Sequence, residues 1–241
     1  MKAKTDNKYL LCEQRWVYYT LILVSGFWGA FTYLMRGSVF CNAQTGNIVL
    51  LGLALGSGDM GKALHYLIPI SAYVAGAFIS EILPNPVKLR LMIRWDTLLI
   101  GVEILVVVIL GFIPDSYPVQ ISQVAINFIA SMQYNTFRQA QGITMATTFA
   151  TNHVRQIGVG LAKEIRHWNK EDKSHRVKLK THFLMFLFFL IGSTVGTMFC
   201  HLMQGRAIWM SALPLLLLFV LMVREDKSLG KEHLEQKPLG H

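Results

Sequence analysis

The sequence predicts an all-α polytopic membrane protein, with six transmembrane helices arranged as two inverted three-helix repeats, each carrying a re-entrant half-helix. Three observations carry this. Six apolar runs have spanning length, the basic residues cluster in alternate connections, and two leftover segments resemble each other. About 20 apolar residues span the hydrocarbon core as a helix. The runs are 16–35, 63–83, 95–113, 119–137, 181–203 and 207–223. None shows the strict ten-residue alternation of a barrel strand.

Basic residues near span ends mark the cytoplasmic side. Of the 23 Lys and Arg, 18 fall in four segments: the tail up to Arg15, the loop with Lys88, Arg90 and Arg94, the loop from Lys163 to Lys180, and the tail from Arg224. These are placed inside, and the short loops 57–62, 114–118 and 204–206 outside. Six crossings with both termini cytoplasmic satisfy the pattern. The transmembrane domain is then 1–225, with repeat 1 over about 16–113 and repeat 2 over about 119–225, followed by a polar cytoplasmic tail at 226–241.

Two segments remain, 37–60 and 138–162. Charge consistency requires each to return to its own side or to lie along the surface. Ile48, Val49, Leu50, Leu51 and Leu53 favour entry for the first. Irregular backbone survives at membrane depth only where protein buries it or a cavity faces it. Phe40–Asn47 and Met145–His153 each lead into a helix, and each has a Thr (Thr45, Thr151) where a hydroxyl could cap it. Small-residue stripes follow in both halves, Ala72-Gly76-Ser80 and Gly192-Gly196-Cys200, of the kind that lets helices pack closely in lipid.

Only 15% of the 241 residues are charged, against about 25% in soluble domains. The net charge of +9 sits in tails and loops without interleaved aromatics, so nucleic acid is not an expected partner. Cys12, Cys41 and Cys200 have no metal or disulfide spacing. Met35-Arg36-Gly37-Ser38 is no cleavage site, so the first run is read as a span and not a signal peptide. Enzyme motifs are absent: no HExxH, GxSxG or Walker loop. Neither a catalytic role nor a metal or cofactor is expected.

The candidate binding residues come from three places. Thr45, Gly46, Asn47, Thr151, Asn152 and His153 would line two opposed half-helix N-termini, where free N–H groups and helix dipoles favour an anion or the negative end of a dipole. Thr-Gly-Asn taken alone also reads as a tight capped turn. Gln123, Asn127, Ser131 and Asn135 recur every fourth residue on the fourth span, with Gln120 and Gln133 beside them. That face lines a solute path or bonds neighbouring helices. Glu103 and Arg155 are ionisable groups within membrane segments, and they could pair, for binding or for structure alone. Arg138 ends the fourth span, and Glu81 and His201 sit nearer span ends with an interfacial role. His153, at a helix N-terminus, suits a neutral hydrogen-bonding role.

The stretch Gly26-Phe27-Trp28-Gly29-Ala30-Phe31-Thr32-Tyr33-Leu34, then Arg36-Gly37-Ser38-Val39-Phe40 and Asn42-Ala43-Gln44-Thr45-Gly46-Asn47, resembles the YoaK-type family. This is a bacterial group of membrane proteins catalogued as a domain of unknown function (number 1275). Gln133, Phe137-Arg138, Thr147-Thr148, Thr151 and Arg155 extend the likeness, which covers about 16–225. It implies a bacterial inner-membrane protein and brings no settled activity. The chain departs from the family at Gly29, where an Asp is expected, and at Thr151-Asn152-His153, where Thr-Gly-Asn usually recurs. Both departures weaken any proton coupling through that Asp.

The expected function is a small secondary transporter or facilitator for a small polar or anionic solute, bound at the midplane and set in membrane lipid. A homodimer would suit so short a chain. A non-transporting membrane scaffold or regulator, or a channel, is the alternative.

Overall fold

The computed structural model describes residues 9–83, 93–166 and 174–234. Lys2 to Lys8, Lys88, Arg90, Lys170, Lys173 and Lys237, which entered the orientation argument, lie outside the described residues. Among the described residues, eight α-helices follow in order: α1 Arg15–Met35, α2 Gln44–Gly56, α3 Met60–Ile82, α4 Trp95–Phe112, α5 Val119–Thr136, α6 Thr151–Arg166, α7 Ser174–Met203 and α8 Ala212–Leu234. A 3-10 turn at Leu11–Glu13 precedes α1, and another at Gln204–Ser211 joins α7 to α8.

Four stretches among the described residues are long and apolar enough to cross a membrane: Arg15–Met35, Met60–Ile82, Trp95–Phe112 and Ser174–Ser228. The last runs through α7, the 3-10 turn and α8. These make the chain a multi-pass membrane protein that is almost wholly α-helical. The expected span at 119–137 forms α5 but falls short of spanning hydropathy, because its inner face is carboxamide and hydroxyl. Apolar side chains are exposed on the outer faces of the helices, including Val74 and Phe78 on α3, Leu105 and Ile109 on α4, Met198 on α7 and Leu217 on α8.

Three boundaries differ from the sequence reading. The helix of the fifth run begins at Ser174, inside the supposed basic loop. Glu164 of α6 accepts from His175 and Arg176 (2.7 and 2.6 Å) and fastens that extra turn. The helix of the sixth continues to Leu234, through the first part of the expected tail. Between α5 and α6 a two-residue hairpin, which the sequence reading did not foresee, pairs Gln139 with Thr144 and Ala140 with Ile143. Its turn is Gln141-Gly142, both at positive φ (48° and 77°), the twist that two-residue hairpins require.

Helix directions follow from which residues meet. On α1 and α7, Leu23 lies against Gly192 and Phe27 against Gly196, so the two run parallel. On α3 and α5, Gly76 meets Phe128 and Ser131, and Ser80 accepts from Asn135, so these also run parallel. Gly101 meets Phe219 and Gly111 meets Trp209, so α4 and α8 are antiparallel. A buried cluster closes one end: Arg94 donates to Asp96 (3.1 Å) and Cys12 Sγ (2.8 Å). There Glu225 accepts from the Leu11 N–H, and Asp226 accepts from the Arg94 N–H. The starts of α1 and α4 and the end of α8 therefore share a face. Arg138 bonds Glu81 (3.0 Å) and the Tyr18 hydroxyl donates to the Gln139 carbonyl, which puts the ends of α3 and α5 there too. Helices α1, α4 and α7 thus run away from that face, and α3, α5 and α8 run toward it.

Glycine permits the two tight pairings. A Cβ on Gly192 would run into the Leu23 carbonyl, and one on Gly76 into that of Phe128. These are backbone atoms that cannot swing aside, and dispersion between such close helices is what lipid leaves as the driving force. Replacing Gly192 or Gly76 with Val should lower stability by about 2 kcal/mol or more, read by thermal unfolding in detergent. Gly52 has open space around it, and Gly52→Ala should move it by under about 1 kcal/mol. Equal effects at both kinds of position would sink the packing account.

Candidate functional site

The two irregular segments meet at one residue. Ser25, midway along α1, accepts from Asn42 Nδ2 at its carbonyl (2.8 Å) and from Gln133 Nε2 at its hydroxyl (3.0 Å). The same Gln133 amide also reaches the Thr147 carbonyl (3.3 Å). Asn42 belongs to the segment before α2, and Thr147 to the segment before α6. A single serine in an apolar helix thus holds both, one directly and one through α5.

Helices α2 and α6 each fold a side chain back on the segment that precedes them. Asn47 Nδ2 donates to the Phe40 carbonyl (2.6 Å) and its Oδ1 accepts from the Phe40 N–H (3.1 Å). His153 Nε2 bonds the Ala146 carbonyl (2.7 Å), also seven residues back. The expected threonine caps are not what holds these turns. Helix α2 begins at Gln44 with Ala43 as its cap, which leaves Thr45 inside the first turn and exposed. Thr151 likewise opens α6 and is exposed, while the Ala150 carbonyl accepts from Val154. A hydroxyl on one carbon cannot reach back seven residues; a carboxamide or imidazole can.

The carboxamide row of α5 lies inward. Gln123, Asn127, Ser131 and Gln133 are buried. Gln44 Nε2 donates to Asn127 Oδ1 (2.8 Å), and Gln123 Nε2 donates to the Arg36 carbonyl (2.6 Å) and lies 3.3 Å from His65 Nε2. Several buried polar atoms on this row and beside it have no hydrogen-bond partner among the described residues: Gln123 Oε1, Ser131 Oγ, Gln133 Oε1 and Thr147 Oγ1. An unmet buried acceptor or hydroxyl costs about 1–3 kcal/mol.

Other candidates fall elsewhere. Glu103 is fully buried and neither carboxyl oxygen has a partner, so the expected Glu103–Arg155 pair does not form. Arg155 sits on the exposed side of α6 and donates to Asn152 Oδ1 (3.3 Å), whereas α4 packs chiefly on α8, the second 3-10 turn and α5. Gly46 and Asn152 are partly exposed at the helix heads. Gly29 leaves room for Asn42: a Cβ there would lie 2.9 Å from Asn42 Nδ2. A cleft of about 290 Å³ opens beside the head of α6, lined by Tyr134, Asn135, Arg138, Met145, Ala146 and Asn152 among others.

Over residues 17–221 the chain matches a family described as proteins of unknown function, DUF1275. The chain belongs to the DUF1275 family. No curated protein and no solved structure matches it. In this DUF1275 protein the sequence reading missed Ser25, Gln44 and His182. Each is a polar residue at the middle or edge of an apolar run, a signal that could have found all three.

Asn47→Ala would strand the Phe40 N–H and carbonyl, which the side chain now satisfies. A loss of about 2 kcal/mol is expected in thermal unfolding, with Thr45→Ala, at an exposed position, near neutral. A silent Asn47→Ala would remove the side-chain clasp from the argument.

Proposed function

We propose that this protein is a carrier built from two inverted halves, six spans in all, that moves a small polar solute bound where the two irregular segments meet on α1. The reading sets the chain in the inner membrane of a bacterial cell with both termini in the cytoplasm. The observation that carries it is the convergence on Ser25, next to buried polar atoms without partners.

The packing supports two inverted halves. Exchanging α1 with α5, α2 with α6, α3 with α7 and α4 with α8 turns each main helix contact into another main contact. Thus α1 on α7 becomes α5 on α3, α2 on α3 becomes α6 on α7, and α4 on α8 returns to itself. Each exchange also reverses direction, as an inverted repeat requires. The bonds from Asn47 and His153 back over seven residues obey the same exchange. Binding sites in inverted-repeat transporters lie at the repeat interface, where broken helices begin.

The solute class follows from the lining. The unmet atoms of Gln133 and Gln123 are acceptors, those of Ser131 and Thr147 are hydroxyls, and two guanidinium nitrogens of Arg36, beside Gln123, are donors. Arg155, the basic residue closest in sequence to the head of α6, is on the exposed side. A neutral solute rich in N–H or O–H groups suits this better than an anion, because the neighbouring cations Arg36 and Arg138 are already paired with Asp115 and Glu81.

Proteoliposomes provide the test, with labelled urea, acetamide and glycerol as donor-rich probes and chloride and formate as anions. Saturable uptake with counterflow of at least one neutral probe is expected. Gln133→Leu, which removes the acceptor at similar volume, should cut it at least tenfold while retaining a cooperative thermal transition. Uptake confined to anions would overturn the solute class. Flux that neither saturates nor shows counterflow would make the protein a channel, and flux of no probe would end the transport reading.

A further inference from the structure

Where α6 meets α7, two histidines touch. His153 Nδ1 lies 2.9 Å from His182 Nδ1, and both rings are buried, at 0% and 4% exposure. His153 Nε2 is 2.7 Å from the Ala146 carbonyl. A carbonyl only accepts, so His153 Nε2 carries a hydrogen. In a neutral ring the His153 Nδ1 is then a lone pair, and His182 Nδ1–H donates to it. The remaining ring nitrogen, His182 Nε2, is left without a hydrogen in this state.

We propose that the His153–His182 pair is one proton-binding site, taking a single proton at His182 Nε2 and thereby tightening the clasp between α6 and α7. The chemistry limits the count. With one proton added, the His182 ring is an imidazolium and its Nδ1–H still points at the His153 lone pair. The bond becomes charge-assisted, and such bonds are roughly twice as strong as neutral ones. A second proton would set N–H against N–H at 2.9 Å and force the rings apart. The pair therefore accepts one proton and refuses the next while the clasp holds.

The surroundings bring little other charge to it. Lys178, one turn earlier on α7, acts on His182. The 145–150 segment has no ionisable side chain, and α1 beyond Arg15 has no acidic or basic one. On α6, Arg155 is exposed, and Glu164 is engaged with His175 and Arg176 at the far end of the same pair of helices. What the clasp holds is the head of α6 and, through Ala146, the segment whose Thr147 carbonyl Gln133 grips. A proton there sets how firmly one side of the candidate solute site is fastened. That coupling role rests on the carrier reading; the proton site itself does not.

The full chain in lipid nanodiscs, labelled with ¹⁵N-histidine, tests this by NMR across roughly pH 4 to 9. The two rings should titrate in one shared step of one proton. A coupling between the two Nδ1 nuclei through their hydrogen bond should persist in the protonated form and strengthen. His153→Asn, which places at this position the amide that Asn47 uses to bond its own carbonyl seven residues back, should keep the amide spectrum of the fold. His182 should then titrate alone, and His182→Gln should abolish the shared step. Two independent titrations, no Nδ1–Nδ1 coupling at any pH, or no proton uptake in that range would each overturn the proposal. None of these readouts involves flux, so failure of the transport reading would be seen separately.

Discussion

Backbone that leaves the helix inside a membrane has no water to bond, and every N–H and C=O it exposes must be met by protein. The same demand falls on two breaks that this molecule buries. Two segments, before α2 and before α6, break regular structure, and the side chains that answer them are Asn42, Asn47, Gln133 and His153, with Ser25 at the centre. Carboxamides dominate because one group supplies donors and an acceptor together. Asn47 uses both sides of its amide on Phe40. Remove the breaks and α5 would have no reason to carry its row of polar residues inward.

Close helix packing makes the arrangement affordable in volume. The stripes on α3 and α7 have no side chains large enough to hold α5 and α1 away, so backbones approach until carbonyls sit where a Cβ would be. Gly29 continues the logic on α1, where the absent side chain is replaced by the Asn42 carboxamide. Space surrendered by glycine on the helices is filled by amides from the segments between them.

The two irregular segments answer the same demand with different groups. In the first, Asn47 closes its loop and also donates to Gln44, which passes the contact on to Asn127 of α5. In the second, His153 closes its loop and turns its other nitrogen to His182 of α7. One segment is thereby tied to the carboxamide row and the other to a second imidazole, so the two helix heads carry different chemistry.

The sequence alone determined the membrane class, the positions of α1, α3, α4 and α5 to within a few residues and the two small-residue stripes, because hydropathy and residue size act locally and are read directly from the chain. It also marked the face of Gln123, Asn127, Ser131 and Asn135 as inward, since a periodic polar face has nowhere else to go in lipid; the first three are buried and Asn135 is half-buried. The tertiary structure alone decided partnership. Whether Glu103 meets Arg155 depends on which helix α4 packs against, and helix neighbours are not encoded in any one segment. Thr45 and Thr151 looked like caps from spacing, yet the reach needed was seven residues, a distance set by how the loop doubles back. Ser25, Gln44 and His182 gain meaning only from groups distant in sequence. Local chemistry fixes what each residue can do, and the packing of remote segments fixes what it does.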